Sequence, residues 1–487
     1  MANAPNVARR SEAVSFSKPS LAKNARGRYN CEMDASLQTA PPSPTSGTTP
    51  IPPTSATSAR VPAARSKARV KRPERKQIEW RPLALDQLIP ADHRVRVVWR
   101  YVESLDLEPL YAQIKAVEGS AGRDATDPRI LMALWMFATI EGISSARQLN
   151  RLCERDLAYQ WICGGVGVNY HMISDFRVDH GEYLDQLLTD TIATLIHQNL
   201  VTLETVAQDG MRVRASAGGS SFRRQPTLEK CRDEAREQVQ KLREERARDG
   251  DQDASHTRRE AAQHRAATER EQRIEQALAE LPQLQAQKEE RKAGTGAQAR
   301  CSTTDPEARK MKMGDGGYRP AYNVQFATEG GSRFIVAVDV TNSGNDHGQL
   351  APMHQGVRDR YGTTPKNYLV DCGFNTKDDI TTVEQRGTQI YAPIHGAATM
   401  LEKGNDPHAR QRNDSDEMAA FRQRMATDDA KTLYKTRPSI AEFPNAVCRN
   451  HGLSQFRVRG QIKAKAVSLW HALTHNLQRM ITLGWAT

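Results

Sequence analysis

The chain has 487 residues, 38% hydrophobic and 26% charged, with 69 Lys/Arg against 58 Asp/Glu. That length accommodates two or three domains and at least one sizeable core. No apolar run reaches the roughly 18–20 residues of a bilayer span, and no secretory leader pattern opens the chain, which argues against a membrane or exported protein. Seven scattered cysteines without a CxxC pair argue against a disulfide framework and suit a reducing compartment, so the expected location is cytoplasmic.

The positive charge is unevenly placed. Residues 1–81 hold 15 Lys/Arg and 5 Asp/Glu, so the remainder is almost neutral. Residues 1–76 read as a disordered Pro/Ser/Thr-rich, then basic, tail that cannot bury a core. Such an arm either supplies non-specific phosphate affinity through counterion release or is only a solvated tail, and both readings stay open. Residues 77–200 read as an all-helical N-terminal domain. In "TDPRILMALWMFATIEG", Thr126 is the expected N-cap and Gly142 the stop, and "SARQLNRLCERDLAYQWICGG" continues with apolar residues every three or four positions until Gly164 and Gly165. "HMISDFRVDHGEYLDQLLTDTIATLIHQNL" extends the helical pattern. Short helices joined this way can include a helix-turn-helix, but a plain helical bundle is the preferred reading, because no groove-reading residues can be singled out.

Strand patterns begin after residue 203: "VTLETVAQDGMRVRA", a hairpin of "AYNVQFAT" and "RFIVAVDVTN", then "KNYLVDCGF" and "TQIYAPI". "NDHGQLAPMHQGVRDRYG" reads as a helix with Asp346 as N-cap. Residues 226–296, with 15 basic and 16 acidic residues, read as a charged helical hairpin broken at "DGDQDAS" and inserted between the first and second strands. Its charges cancel, so packing or spacing suits it better than phosphate binding. The result is an α/β class with a mixed sheet over 201–225 and 297–487.

Three acids stand out. Asp209 closes the first strand, Asp371 closes the fourth, and Glu442 lies in the helical stretch "YKTRPSIAEFPNAVCRN". Singly, each has an ordinary explanation as a turn, strand-end or solvated helix residue. If the first and fourth strands are neighbours, the two aspartates emerge side by side, and a later helix can bring Glu442 to them. Carboxylates gathered in this way call for hard cations such as Mg²⁺, and two such ions suit phosphodiester chemistry. From Lys431 to Lys465 there are eight Lys/Arg and one acid, as a phosphate-facing or a solvated basic helix would have. Cys448, His451, His471 and His475 have spacing a zinc site could use, but "SLWHALTHNLQRM" reads more simply as a packed last helix. No histidine is placed to activate Cys372 as a nucleophile.

The stretches "GRDATDPRILMALWMFATIEG", "AQDGMRVRASAG", "DPEARKMKMGDGGYRPAYNVQFATE", "VDVTNSGNDHGQL", "YLVDCGF" and "RPSIAEFPNAVCRN" resemble bacterial insertion-sequence transposases of the DDE class. The resemblance covers about residues 78–485 and implies an RNase H-like catalytic core. It implies that Asp209, Asp371 and Glu442 are metal-binding catalytic carboxylates for two Mg²⁺ ions, with Mn²⁺ as an expected substitute. Tyr434, Arg437, Glu442 and Arg449 fall on the family's Tyr-Arg-Glu-basic signature. Tyr434, Arg437 and Arg449, with Arg212 and Arg214, are then expected to contact DNA. Met211, Cys372, Pro438 and Arg449 depart from the residues usual in the family. The implied partners are double-stranded DNA, as terminal inverted repeats and target, and a second copy of the chain. The implied activity is cleavage at element ends and strand transfer. A nuclease on the same fold, and a DNA-binding descendant without chemistry, are the rival readings.

Overall fold

The structure, a computed structural model, describes residues 84–116, 124–248 and 254–485. The tail expected over 1–76 and most of the break expected at "DGDQDAS" lie outside the described residues. The helix α3 (Pro128–Ile140) organises the N-terminal region because it is apolar on every side: all its residues except Arg129 are buried. A helix without a polar face must be surrounded. Around it and one another pack α1 (Arg94–Glu103), the short α2 (Glu108–Tyr111), α4 (Ala146–Arg155), α5 (Leu157–Cys163), α6 (Tyr170–Asp179) and α7 (Gly181–His197).

Local capping chemistry sets the ends differently from the expected pattern. Asp127, not Thr126, caps α3 by accepting from the Arg129 N–H at 2.8 Å. Asp156 splits the expected continuous helix into α4 and α5, because its carboxylate takes the N–H groups of Ala158 and Tyr159. An Asp side chain offers that alternative to the helical backbone wherever tertiary packing rewards a turn. Gly164 closes α5 in the left-handed region, φ 56°.

The sheet has six strands. β1 (Thr205–Arg214) lies at its centre, parallel to β7 (Asn367–Leu369), which is parallel to β8 (Gln389–Tyr391). On the other side β1 pairs antiparallel with β5 (Tyr318–Glu329), which carries both β4 (Arg309–Lys312) and β6 (Ile335–Thr341) on its outer edge. Apart from β4, chain order across the sheet is third, second, first, fourth, fifth. All five expected strands are present. β4 was not expected, because "RKMK" shows no apolar strand pattern. The architecture is a helical region followed by a mixed sheet flanked by helices, broadly RNase H-like.

Between β1 and β4 stand α8 (Gln225–Arg248) and α9 (Ala254–Arg291), side by side as the expected charged hairpin. Leu228, Ala277 and Leu281 form a small core of their own, and a ribbon of β2 (Phe222–Arg223) and β3 (Cys301–Ser302) closes the base. The remaining helices are α10 (Leu350–Tyr361), α11 (Lys377–Gln385), α12 (Ala397–Glu402), α13 (Asp416–Ala426), α14 (Asp428–Tyr434), α15 (Phe443–Asn450) and α16 (Gln461–Thr482). α16 joins the helical region to the sheet. Its Trp470 donates to the Arg177 carbonyl on α6 at 3.0 Å, and its Asn476 bonds both backbone groups of Ile335 on β6 at 2.8 Å. His471 and His475 are buried there, as a packed last helix requires, and His475 Nε2 pairs with the Arg333 carbonyl. No described helix is long and apolar enough to cross a membrane.

Candidate active site

The parallel register of β1 and β7 sets Ala207 opposite Leu369. Two residues further along each chain come Asp209 and Asp371, so the two carboxylates sit level. Asp209 does not end its strand as expected. β1 continues to Arg214 because β5 pairs with it throughout, whereas β7 stops at Leu369. Asp209 is therefore mid-strand yet just past the end of its parallel neighbour. In open α/β sheets, the carboxyl end of adjacent strands where the strand order reverses is the place for a ligand. Asp371 stays extended there (φ −82°, ψ 176°) and caps the short turn Cys372–Phe374 through the Gly373 N–H at 2.7 Å.

Each oxygen of Asp209 has its own donor. Oδ1 accepts from Arg437 Nη2 and Oδ2 from Asn445 Nδ2, both at 2.8 Å. These donors are 5–6% exposed, so the contact is largely desolvated. Burial, opposed by Arg437 and reinforced by Asp371 and Asp346, pushes the Asp209 carboxyl up to about 6.

Arg437 and Asn445 lie eight residues apart along one helical run. On a plain α-helix of 3.6 residues per turn they would be rotated about 80° apart. Residues Pro438–Glu442 instead form a π-helical turn. The widened turn absorbs one residue and returns both donors to within about 20° of one face. The turn also sets Glu442 Oε1 at 3.4 Å from Arg437 Nη1. Arg437 thus bridges Asp209 and Glu442. The Glu442 side chain itself is 59% exposed.

The expected convergence of three carboxylates is therefore corrected in one respect. No group of three metal-capable side chains gathers among the described residues. A guanidinium stands between Glu442 and Asp209, neutralising charge that otherwise has no partner. Arg437, expected to contact DNA, is buried and directed at the carboxylates. Arg212 is also turned inward: it donates to the Gly344 carbonyl at 3.1 Å and lies 3.8 Å from Asp346. Arg214 and Arg449 are exposed, as a DNA contact requires. Tyr434 is half-buried, its hydroxyl pushed up by burial, against Arg437 and with Asp371 and Glu442 nearby.

Asn445 was not singled out from sequence, although it lies one helical turn beyond Glu442. Asp346 was expected to cap α10, which starts later, at Leu350. Instead it accepts from Asn323 and Gln325 at 2.6 and 2.7 Å and fills the space above Gly210. Met211 is buried in the core beside Asp209.

Residues 291–477 match the family described as Transposase DDE domain, and residues 83–179 match the Transposase domain DUF772. The chain belongs to the DDE transposase family. No curated protein and no solved structure matches it. The matched DDE segment carries Asp371, Glu442, Arg437 and Asn445, while Asp209 lies between the two matched segments.

The donor set fits a hard divalent cation. Asp209 and Asp371 bring carboxylate oxygens level at the sheet edge, and burial, reinforced by Asp371 and Asp346, raises the Asp209 carboxyl, a cost that a cation would relieve. Asn445 Oδ1, buried next to Asp209, has no hydrogen-bond partner.

Proposed function

We propose that the chain is a transposase that cuts DNA at the ends of an insertion sequence and joins those ends to target DNA. The observation that supports this best is the level pair Asp209 and Asp371, with Arg437 tying Glu442 to the same edge. In this reading Asp209, Asp371 and Glu442 hold two divalent cations, Mg²⁺ by preference. Bound there, such ions neutralise phosphate charge and activate the attacking oxygen.

The chain's own residues do the rest. Arg437 and Asn445 fix both oxygens of Asp209 before substrate arrives, so no reorganisation is needed during reaction. Tyr434, Arg449 and Arg214 hold the strand against the edge. A water oxygen attacks the phosphorus at the element's end, and the P–O3′ bond breaks to leave a 3′-hydroxyl. That hydroxyl then attacks a target phosphodiester and displaces its 3′-oxygen, without a covalent protein intermediate. Two ends processed together call for at least a dimer on DNA.

The test is a cleavage and joining assay on duplexes carrying the repeats that flank the gene, with Mg²⁺, with EDTA, and with Asp371→Ala. Metal-dependent nicks at the repeat ends, absent in the variant, are the expected result. Cuts without joined products would favour a nuclease. Repeat binding without any cut would favour a DNA-binding descendant.

A further inference from the structure

The unexpected strand β4 forms a ribbon with the start of β5. Register sets Arg309 opposite Ala321, Lys310 opposite Pro320, Met311 opposite Arg319 and Lys312 opposite Tyr318. Residues directly opposed in an antiparallel pair share a face, and alternate residues share it too. Lys310, Lys312, Tyr318 and Pro320 are therefore one face, and Met311 with Arg319 the other.

The Met311 face is used by the fold. Met311 is 1% exposed and lies against Gly344, in the loop that leads to Asp346. On the opposite face only Pro320 is buried. Lys310 and Lys312 are exposed, and Tyr318, 70% exposed, is the one aromatic among the exposed large apolar residues described. Lys310 arches over the Phe222 ring at 5.1 Å, and Lys312 has no acidic partner among the described residues.

The tip is braced from within. Arg319 pairs with both oxygens of Asp315, at 2.8 and 2.7 Å, and Asp315 also accepts from the Gly317 N–H. Gly316, at φ 81°, makes the turn that Cβ-bearing residues resist. The one acid at the tip is thus consumed by the turn, which leaves the lysines free for an external anion.

The ribbon also points the right way. Asp209 is opposite Phe326, and Tyr318 lies eight residues back along β5, beyond the carboxyl edge that carries Asp209 and Asp371. At about 3.3 Å per residue the reach is up to about 26 Å. That is the length of about eight base pairs at 3.4 Å per phosphate along a strand.

We infer that the β4–β5 ribbon is a second DNA contact, gripping duplex up to about eight base pairs from the phosphate attacked. Lys310 and Lys312 meet backbone phosphates, and Tyr318 packs its ring against sugar or base in the groove between them. An exposed aromatic flanked by cations matches a polyanion with apolar faces. This rests on the transposase reading.

The experiment measures binding by the full chain in EDTA, and cleavage in parallel with Mg²⁺, on two labelled duplexes, one carrying the flanking repeat and one of random sequence. It compares wild type with Tyr318→Ala, Lys312→Ala and the double variant. The double variant is expected to bind the repeat about tenfold or more weakly, in line with base–aromatic contacts and one lost phosphate contact. Lys312→Ala lowers the salt slope by about 1, while Tyr318→Ala leaves it unchanged. A hydroxyl-radical footprint loses one patch of protection away from the cleavage site. Unchanged thermal unfolding confirms that the variants fold. If wild type binds and cuts while the variants match it in affinity, slope and footprint, the ribbon inference fails and the transposase reading stands. If the variants bind DNA normally but fall to a smaller species in ultracentrifugation, the ribbon meets a second copy and the DNA assignment is wrong. If wild type binds neither duplex and cuts nothing, both readings fail together.

Discussion

Replacing Arg437 with methionine keeps most of the side-chain volume and removes the charge that Asp209 leans on. Asp209 and Arg437 are 18% and 7% exposed and 2.8 Å apart, so solvent cannot take the guanidinium's place in full. A carboxylate left alone in such a site escapes by taking a proton. With Arg437 present its pKa is already about 6. At pH 8 protonation therefore costs, at 1.36 kcal/mol per pH unit, about 3 kcal/mol, which is the ceiling on this part of the loss. At pH 6 the same escape costs almost nothing. The Glu442 contact adds little, since that side chain is 59% exposed. Arg437→Met should thus destabilise the metal-free protein by about 2–3 kcal/mol at pH 8 and by less than about 1 kcal/mol at pH 6. Denaturant and thermal unfolding in EDTA at the two pH values measure this. Added Mg²⁺ should narrow the gap at pH 8, because cations relieve the same carboxylates. An equal loss at both pH values, or a loss below about 0.5 kcal/mol at pH 8, would refute the argument that Arg437 serves as the counter-charge of Asp209.

Three further outcomes are expected. Asn445→Ala should lower cleavage about 10- to 100-fold with little change in DNA affinity, because it frees an oxygen of Asp209 that must be held; comparing cleavage rates with gel-shift affinities checks this. Gly210→Ala should cost about 1–3 kcal/mol and most of the activity, since its Cβ would lie 2.2 Å from Asp346 Oδ1 and 2.6 Å from Gln325 Nε2; a melting curve identical to wild type would show that the network above Gly210 yields freely. Burial depresses His354 to about 4, His471 to about 3 and His475 to about 4, against 6.5 for each when exposed. Their folded pKa values lie below the unfolded ones, so the unfolded chain takes up protons first as pH falls. Their share of the stability should be steady above pH 6.5 and drop between 6.5 and about 4, with a slope approaching about 4 kcal/mol per pH unit if all three titrate together, offset by up to about 1.4 kcal/mol per pH unit from Asp209, whose raised carboxyl takes up its proton in the folded state first. Replacing His354 with glutamine should flatten that slope, and an unchanged slope in a pH series of unfolding curves would count against its share.

Sequence alone determined five of the six strands of the main sheet, the helical lead-in, the inserted hairpin and the two aspartates that sit level at the sheet edge. Those features are written in local periodicity: alternation brings β1 and β5 out of the background, and an acid that follows an apolar strand run is visible without knowing its neighbour. The tertiary structure decided what faces the acids. Arg437 and Asn445 reach Asp209 across 228 and 236 residues of chain, and nothing local distinguishes them from other helix residues. Their common face depends on one π-helical turn, a backbone choice stabilised by the contacts it makes rather than by the propensity of "PSIAE". The same holds for Arg212, which from sequence belonged with the DNA contacts and in the fold secures the loop of Asp346. β4 escaped notice because a ribbon with one buried residue, Met311, carries too little apolar pattern to stand out. Periodicity specifies which side of an element is buried; it cannot say which distant side chain a buried carboxylate will find there, because that pairing is settled by packing among elements far apart in the chain.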